Sequence, residues 1–101
     1  MEDQIYASTF APDVVFKIQL GAFKNEVPLE IVNQFLKISK LGVENHKDIN
    51  GLTIYTAGDF KTYNEAINIK QEIIANNFKD AFVVAYRNGK KISMDEAKKQ
   101  E

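Results

Sequence analysis

The chain contains no cysteine and no tryptophan, and it has a single histidine and a single arginine among its 101 residues. Without cysteine it has neither a disulfide framework nor a thiolate metal site. Its 13 basic and 14 acidic side chains nearly cancel, so no cationic surface is available for phosphate backbones and nucleic acid is not an expected partner. A metal or acid–base role for His46 is disfavoured, because no second histidine or cysteine completes a site.

The chain also lacks any apolar run near the roughly 20 residues that a helix needs to cross a bilayer. Its first residues, MEDQIYASTFAP, lack the basic and apolar regions of a signal peptide. We therefore expect a soluble fragment that does not span a membrane, with any signal or anchor of a parent protein outside it. Its length indicates one domain: an extended arm or leader over 1–12, a domain over 13–88, and a turn with a charged helix over 89–101.

Two similar stretches, KIQLGAFK at 17–24 and IYTAGDFK at 54–61, stand 37 residues apart. Alternating apolar residues before Gly21 predict a strand that ends at this glycine. Thr62 and Glu65 form a capping box that predicts a helix over 63–77. These signals indicate two structurally similar halves.

The remaining patterns complete the order β-α-β-β-α-β. They predict a helix over 28–40, strands over 43–48, 52–57 and 81–86, turns at Asn50-Gly51 and Asn88-Gly89, and a C-terminal helix over 94–101. We expect an α+β protein with the ferredoxin-like fold: a four-stranded antiparallel sheet, two helices on one face and a short C-terminal helix. The predicted core contains Phe16, Ile18, Leu20, Tyr55, Leu29, Val32, Leu36, Ala66, Ile69 and Ile73.

The anchors QLGAF and AGDF, each followed by an amphipathic helix, and the closing DAFVV resemble the SPOR domain over residues 14–86. This sporulation-related repeat is a module of bacterial envelope proteins. The resemblance implies a sheet whose helix-free face binds peptidoglycan glycan strands, preferring strands stripped of stem peptides. It also implies a location in the periplasm or cell envelope, where such a module is often attached to division, hydrolase or outer-membrane proteins. A module of this kind has no catalytic residues, and we expect no metal or cofactor.

Strand alternation directs one set of side chains away from the helices, and the resemblance assigns part of that set to glycan binding. Gln19 matches the family's strand-one glutamine, and Phe82 matches an apolar residue of its glycan face. Three positions depart from the family: Ala22 replaces a frequent serine, and Leu52 and Ile54 replace an aromatic residue and an arginine. The predicted glycan-binding residues are Lys17, Gln19, Ala22, Leu52, Ile54, Thr56 and Phe82.

An alternative function is protein–protein interaction. Leu52, Ile54 and Phe82 would form an apolar patch on the open face, which would meet another envelope protein or a second copy of the chain. RNA binding is disfavoured because the central strands lack a basic and aromatic signature. Acyl-phosphate hydrolysis would need an arginine in a phosphate-binding loop, whereas Arg87 follows the last predicted strand.

Overall fold

A computed structural model describes residues 14–98 of the chain. Its elements are β1 (Val14–Phe23), α1 (Leu29–Lys37), a 3-10 turn (Ser39–Leu41), β2 (Val43–Lys47), β3 (Thr53–Phe60), α2 (Tyr63–Ala75), β4 (Phe82–Arg87), β5 (Lys90–Ile92) and α3 (Met94–Lys98). The predicted arm over 1–12 and the end of the predicted C-terminal helix, 99–101, lie outside the described residues.

The predicted four-stranded sheet with two helices on one face is wrong. The chain is α+β, but five strands form one antiparallel sheet in the order β2-β3-β1-β4-β5, and the described residues contain three α-helices. The additional strand follows the turn at Asn88 and Gly89, whose φ angles of 52° and 83° suit a two-residue hairpin. Residues 90–92 therefore pair with β4. Three residues are too few to show the alternation from which a strand can be predicted.

The sheet is strongly curled. The rings of His46 on β2 and Tyr86 on β4 make an edge contact with centroids 5.8 Å apart, although β3 and β1 lie between these strands. In a flat sheet, three strand spacings would separate β2 from β4 by about 14 Å. The curl therefore makes the helix-free face concave.

The predicted capping box is confirmed, and a turn forms at Asn50-Gly51. It belongs to a longer connection than a two-residue hairpin: Lys47 pairs with Thr53, and Gly51 but not Asn50 has a positive φ, 81°. The Thr62 hydroxyl accepts a hydrogen bond from the Glu65 N–H, and the Glu65 carboxylate accepts one from the Thr62 N–H, both at 3.2 Å, so the capping box starts α2. In the β2–β3 hairpin, the Asp48 carboxylate accepts the N–H groups of Asn50 and Leu52. No helix in the described part of the chain is long and apolar enough to cross a membrane.

β1 continues through Gly21 to Phe23, so the prediction that the strand ends at this glycine is wrong. Gln19 and Gly21 pair with successive residues of β3, which leaves Leu20 as an extra residue in β1. Such a β-bulge shifts the alternation by one position. Ile18, Leu20 and Phe23 can then all contact the core on the helix side.

A second irregularity lies in β3. Phe16 pairs with Phe60, and Ile18 pairs with Ala57. Between these two pairs β1 has one residue and β3 has two, so β3 carries the extra residue here. Gly58 lies in this bulge with a φ of +80°. An L-amino acid with a side chain rarely adopts that conformation.

The repeated Gly-x-Phe motif places a phenylalanine ring over a glycine in both central strands. A Cβ atom at Gly21 would meet the Phe23 ring at 2.9 Å, and a Cβ atom at Gly58 would overlap the Phe60 ring. An aromatic ring that covers a strand glycine supplies the packing that glycine itself lacks. The echo in the sequence is therefore a fold signature of two bulged strands.

The core lies between the sheet and the helices, in two clusters. The first contains Ile18, Ala57, Ala81, Phe35, Ile38, Ile73 and Phe78, and the second contains Val14, Phe16, Ala66, Ala85 and Ala97. Phe16, Ile18, Ala66 and Ile73 are buried as predicted. Leu20, Tyr55 and Ile69 pack against the margin of the first cluster.

The predicted core face of α1 is wrong. Leu29, Val32 and Leu36 are 74%, 38% and 65% exposed. The helix buries Phe35 instead, which stacks on Phe78 with ring centroids 5.6 Å apart. Its sequence carries two overlapping apolar stripes, and packing of the aromatic side chain decides which of them faces the sheet.

Truncating Ile73 to alanine should lower the free energy of unfolding by about 2–5 kcal/mol, because this side chain is fully buried at 0% exposure. The control Leu29→Ala removes an equally large but exposed side chain and should change stability by no more than about 0.5 kcal/mol. Urea unfolding of both variants checks this. Similar losses in the two would contradict the described packing of the helices.

Replacing Gly58 by alanine should be more damaging than the same change at Gly51. Both glycines have a φ near +80°, so each substitution forces alanine into the unfavourable left-handed backbone conformation. Only a Cβ atom at Gly58 would also displace a neighbouring ring. We expect an additional loss of about 1–3 kcal/mol at Gly58. Equal melting temperatures for Gly58→Ala and Gly51→Ala would show that the ring does not cover the glycine.

Candidate functional site

The helix-free face is defined by strand alternation. Tyr55 and Ala57 pack with the helix-side core, so Thr56 between them and Ile54 before them point away from the helices. In β1, Lys17 likewise lies opposite to the buried residues that flank it.

The alternation predicted for the fourth strand is confirmed. Ala81 belongs to the first core cluster, and Val83 and Ala85 pack in the second. Phe82 and Tyr86 therefore project from the helix-free face.

Four residues form a row across this face. Glu44 pairs with Thr56, Thr56 with Gln19, and Gln19 with Phe82, so that the row crosses β2, β3, β1 and β4. Directly opposed residues in an antiparallel sheet point to the same side. The row thus aligns a carboxylate, a hydroxyl, an amide and an aromatic ring, of which the ring of Phe82 is 46% exposed.

The apolar floor predicted from Leu52, Ile54 and Phe82 does not form. Ile54 is only 7% exposed, and Leu52 lies before β3, where its N–H donates to the Asp48 carboxylate at the hairpin end. These three side chains therefore do not form one continuous exposed apolar patch.

The other predicted site residues lie on the expected side. Ala22 is exposed and pairs with Ile54, so the β1 bulge turns it to the helix-free face. Thr56 shares this face but is 2% exposed. Gln19 and Lys17 are half-buried. Among the seven predicted residues, Phe82 and Ala22 thus offer the most accessible surface.

The concave face encloses a cleft of about 890 Å³. Its lining residues are Val15, Lys17, Glu44, Asn45, His46, Lys47, Thr56, Asp59, Tyr86, Asn88 and Gly89. Only Lys17 and Thr56 belong to the set predicted from sequence. The others converge because the curl brings β2 towards the β4–β5 turn.

An ion cluster lies at the floor of this cleft. The Lys17 ammonium donates to the carboxylate of Asp59 and, at 3.1 Å, to that of Glu44. The lysine side chain is 17% exposed, while the two carboxylates are 63% and 64% exposed. Burial lowers the pKa of Lys17, but its hydrogen bonds and charge interactions with Asp59 and Glu44 outweigh that effect and raise the pKa above 10.5.

The β3 bulge brings Asp59 to Lys17. Asp59 is the middle residue of the second Gly-x-Phe motif, where the first motif has Ala22. That difference between the two copies was the one signal in the sequence for this ion pair. Predicting it would have required knowledge of the bulge, because simple alternation places Asp59 and Ala57 on the same face.

An aromatic pair forms one wall of the cleft. The ring of Tyr86 is 7% exposed and meets the edge of the His46 ring at an interplanar angle of 89°. Burial raises the pKa of Tyr86 above 10.0, and the nearby charge of Lys17 partly offsets this by lowering it. Over residues 14–98, no group of three or more histidine, aspartate or glutamate side chains is placed to hold a metal ion.

The charged groups in the cleft balance: Lys17 and Lys47 are matched by Glu44 and Asp59. A site with equal numbers of positive and negative side chains does not concentrate phosphate-rich polymers. With its amides, its hydroxyl and its aromatic edges, the cleft suits an uncharged polar ligand.

No family model matches this sequence, and comparisons with curated proteins and with solved structures found no match either.

Stability should fall as the pH rises above 10. The pKa of Tyr86 is raised from 10.0 and that of Lys17 from 10.5, so the folded state holds both protons more tightly than the unfolded state. The resulting stabilisation is complete below these values and is lost as the pH passes through the raised pKa values. Tyr86→Phe, which keeps the ring, should show a shallower alkaline decline in urea unfolding than the wild type. Parallel declines would contradict the burial of the phenol.

Proposed function

We propose that this chain is a SPOR-like, non-catalytic module that binds peptidoglycan glycan strands and localises a larger protein in the periplasm or cell envelope. The observation that carries the proposal is the pairing of Gln19 with the exposed ring of Phe82 on the helix-free face. Both residues match glycan-face positions of the family that the sequence resembles.

The chemistry of this pair is complementary to a sugar. A pyranose ring presents apolar C–H groups on its faces and hydroxyl or amide groups at its edges. The Phe82 ring can pack against a C–H face, and the Gln19 amide has two donors and an acceptor for an edge. Together they recognise both aspects of one sugar unit.

The row and the cleft extend the binding surface beyond that unit. From Phe82 the row follows the curl of the sheet across four strands and ends at Glu44 in the cleft. The cleft also contains the ring of Tyr86 and the ammonium group of Lys17, whose charge is matched by Glu44 and Asp59.

Binding to purified sacculi tests the proposal. The wild-type chain should be retained, and more strongly on glycan strands freed of stem peptides than on untreated sacculi. Phe82→Ala and Gln19→Ala should each weaken retention at least about tenfold, because each removes a central contact. The control Ile49→Ala truncates an apolar side chain that is 99% exposed at the β2–β3 hairpin and should bind like the wild type.

Three results would contradict the proposal. The first is a wild-type chain that is not retained on either material. The second is normal retention of both Phe82→Ala and Gln19→Ala with unchanged melting temperatures, which would place the site elsewhere. The third is release of soluble sugar fragments by the purified chain, because a binding module does not cleave its ligand.

A further inference from the structure

The cleft contains a buried hydroxyl group that no side chain satisfies. Thr56 is 2% exposed and lines the cleft, and its hydroxyl makes no hydrogen bond to another group within residues 14–98. A buried polar group without a hydrogen bond destabilises the folded chain, so buried hydroxyls usually have a partner. A polar ligand group in the cleft can supply the missing partner of Thr56.

Two carboxylates beside this hydroxyl also keep unused hydrogen-bonding capacity. Glu44 is the direct cross-strand neighbour of Thr56, and the Lys17 ammonium binds one oxygen of Glu44 and one of Asp59. The second oxygen of each carboxylate makes no hydrogen bond in the described part of the chain. Both carboxylates are more than 60% exposed, whereas the lysine that holds them is 17% exposed. A ligand therefore meets their fixed acceptor oxygens before it meets the ammonium group.

The second lysine of the cleft lining points to the other side of the sheet. His46 on β2 faces the cleft, where its ring contacts Tyr86. Lys47 is the next residue of the same strand, and successive side chains of a strand point to opposite faces. Lys47 also lines a separate groove with Val27 and Tyr55, residues that pack with the helix-side core. The cleft thus presents carboxylate oxygens to a ligand more openly than ammonium groups.

On the basis of the proposed function, we propose that the cleft selects a neutral, hydroxyl-bearing sugar unit of the glycan and disfavours a unit that carries a carboxylate. Hydroxyl groups of the sugar donate to the free oxygens of Glu44 and Asp59, and such charge-assisted hydrogen bonds are about twice as strong as neutral ones. The Thr56 hydroxyl completes the set, because it can donate or accept. A ligand carboxylate would instead face two groups of its own charge.

The two sugars of peptidoglycan differ in this charge. N-acetylglucosamine is neutral, whereas N-acetylmuramic acid has a lactyl carboxylate that is free once the stem peptide is removed. The cleft volume of about 890 Å³ is within the range of roughly 300–1,000 Å³ for small-ligand sites. Thr56 also pairs directly with Gln19, so the cleft adjoins the pair of Gln19 and Phe82. The cleft therefore sets the register of the strand, with N-acetylglucosamine in the cleft.

NMR titration of the isotope-labelled full chain with single sugars tests this selection. N-acetylglucosamine should shift the amide signals of Thr56 and Asp59 as it binds. N-acetylmuramic acid should bind at these signals with a dissociation constant at least about threefold higher, because its carboxylate is repelled. Its methyl ester keeps the lactyl group without the charge and should bind more strongly than the acid.

Two variants of nearly unchanged shape test the contacts. Thr56→Val removes the hydroxyl and Asp59→Asn removes the charge, and each should raise the dissociation constant for N-acetylglucosamine at least about threefold. The control Thr53→Val lies on the same strand outside the cleft, and the control Asp95→Asn is exposed on α3. Both controls should bind like the wild type. Melting temperatures verify that all four variants are folded.

Three results would overturn the proposed selection: equal binding of the acid and its methyl ester, sugar-induced shifts that spare Thr56 and Asp59, or wild-type affinity in both Thr56→Val and Asp59→Asn. Retention on sacculi tests the proposed function separately. A chain that sacculi retain but whose cleft signals do not respond contradicts the selection alone. A chain that sacculi do not retain but whose cleft binds N-acetylglucosamine contradicts the proposed function alone.

Discussion

The rings of Phe23 and Phe60 lie over Gly21 and Gly58, and the course of both central strands depends on these contacts. Each contact accompanies a bulge, and each bulge shifts the alternation of side chains by one position. The bulges therefore determine together which side chains face the core and which face the helix-free side. Moving either bulge would exchange side chains between the core and the concave face.

The bulge in β3 has a chemical consequence as well as a structural one. It directs Asp59 to the concave face, where Asp59 and Glu44 share the ammonium group of Lys17. The pairing holds a long, half-buried lysine in one position at the floor of the cleft. Because the charge of Lys17 is matched, the charged groups of the cleft balance.

The two faces of the molecule present different surfaces. The concave face is mainly polar, with Phe82 as its exposed aromatic residue. Helix α1 exposes the apolar side chains of Leu29, Val32 and Leu36 on the opposite side of the sheet. None of these three exposed residues of α1 lines the cleft.

Patterns between near neighbours in sequence were sufficient to predict the local elements. The capping box at Thr62 and the turn at Asn50-Gly51 are each made by groups within a few residues of one another, so short motifs determine them. The apolar alternation likewise predicted the inward side chains of β1 and β4. These features need no information about distant parts of the chain.

Tertiary structure decided what depends on contacts between distant residues. The sequence of α1 fits two apolar stripes, and stacking of Phe35 on Phe78 selects between them. The curl of the sheet brings His46 to Tyr86, residues 40 positions apart, so the cleft between them could not be seen in sequence spacing. The 7% exposure of Ile54 likewise depends on contacts that its place in the sequence does not reveal. By itself, the sequence determined which side chains alternate and where helices and turns begin. The fifth strand and the cleft follow from how the strands pair and curl, and the buried side of α1 follows from how its aromatic side chain packs. Each depends on contacts between residues that are distant in sequence, which local patterns do not contain.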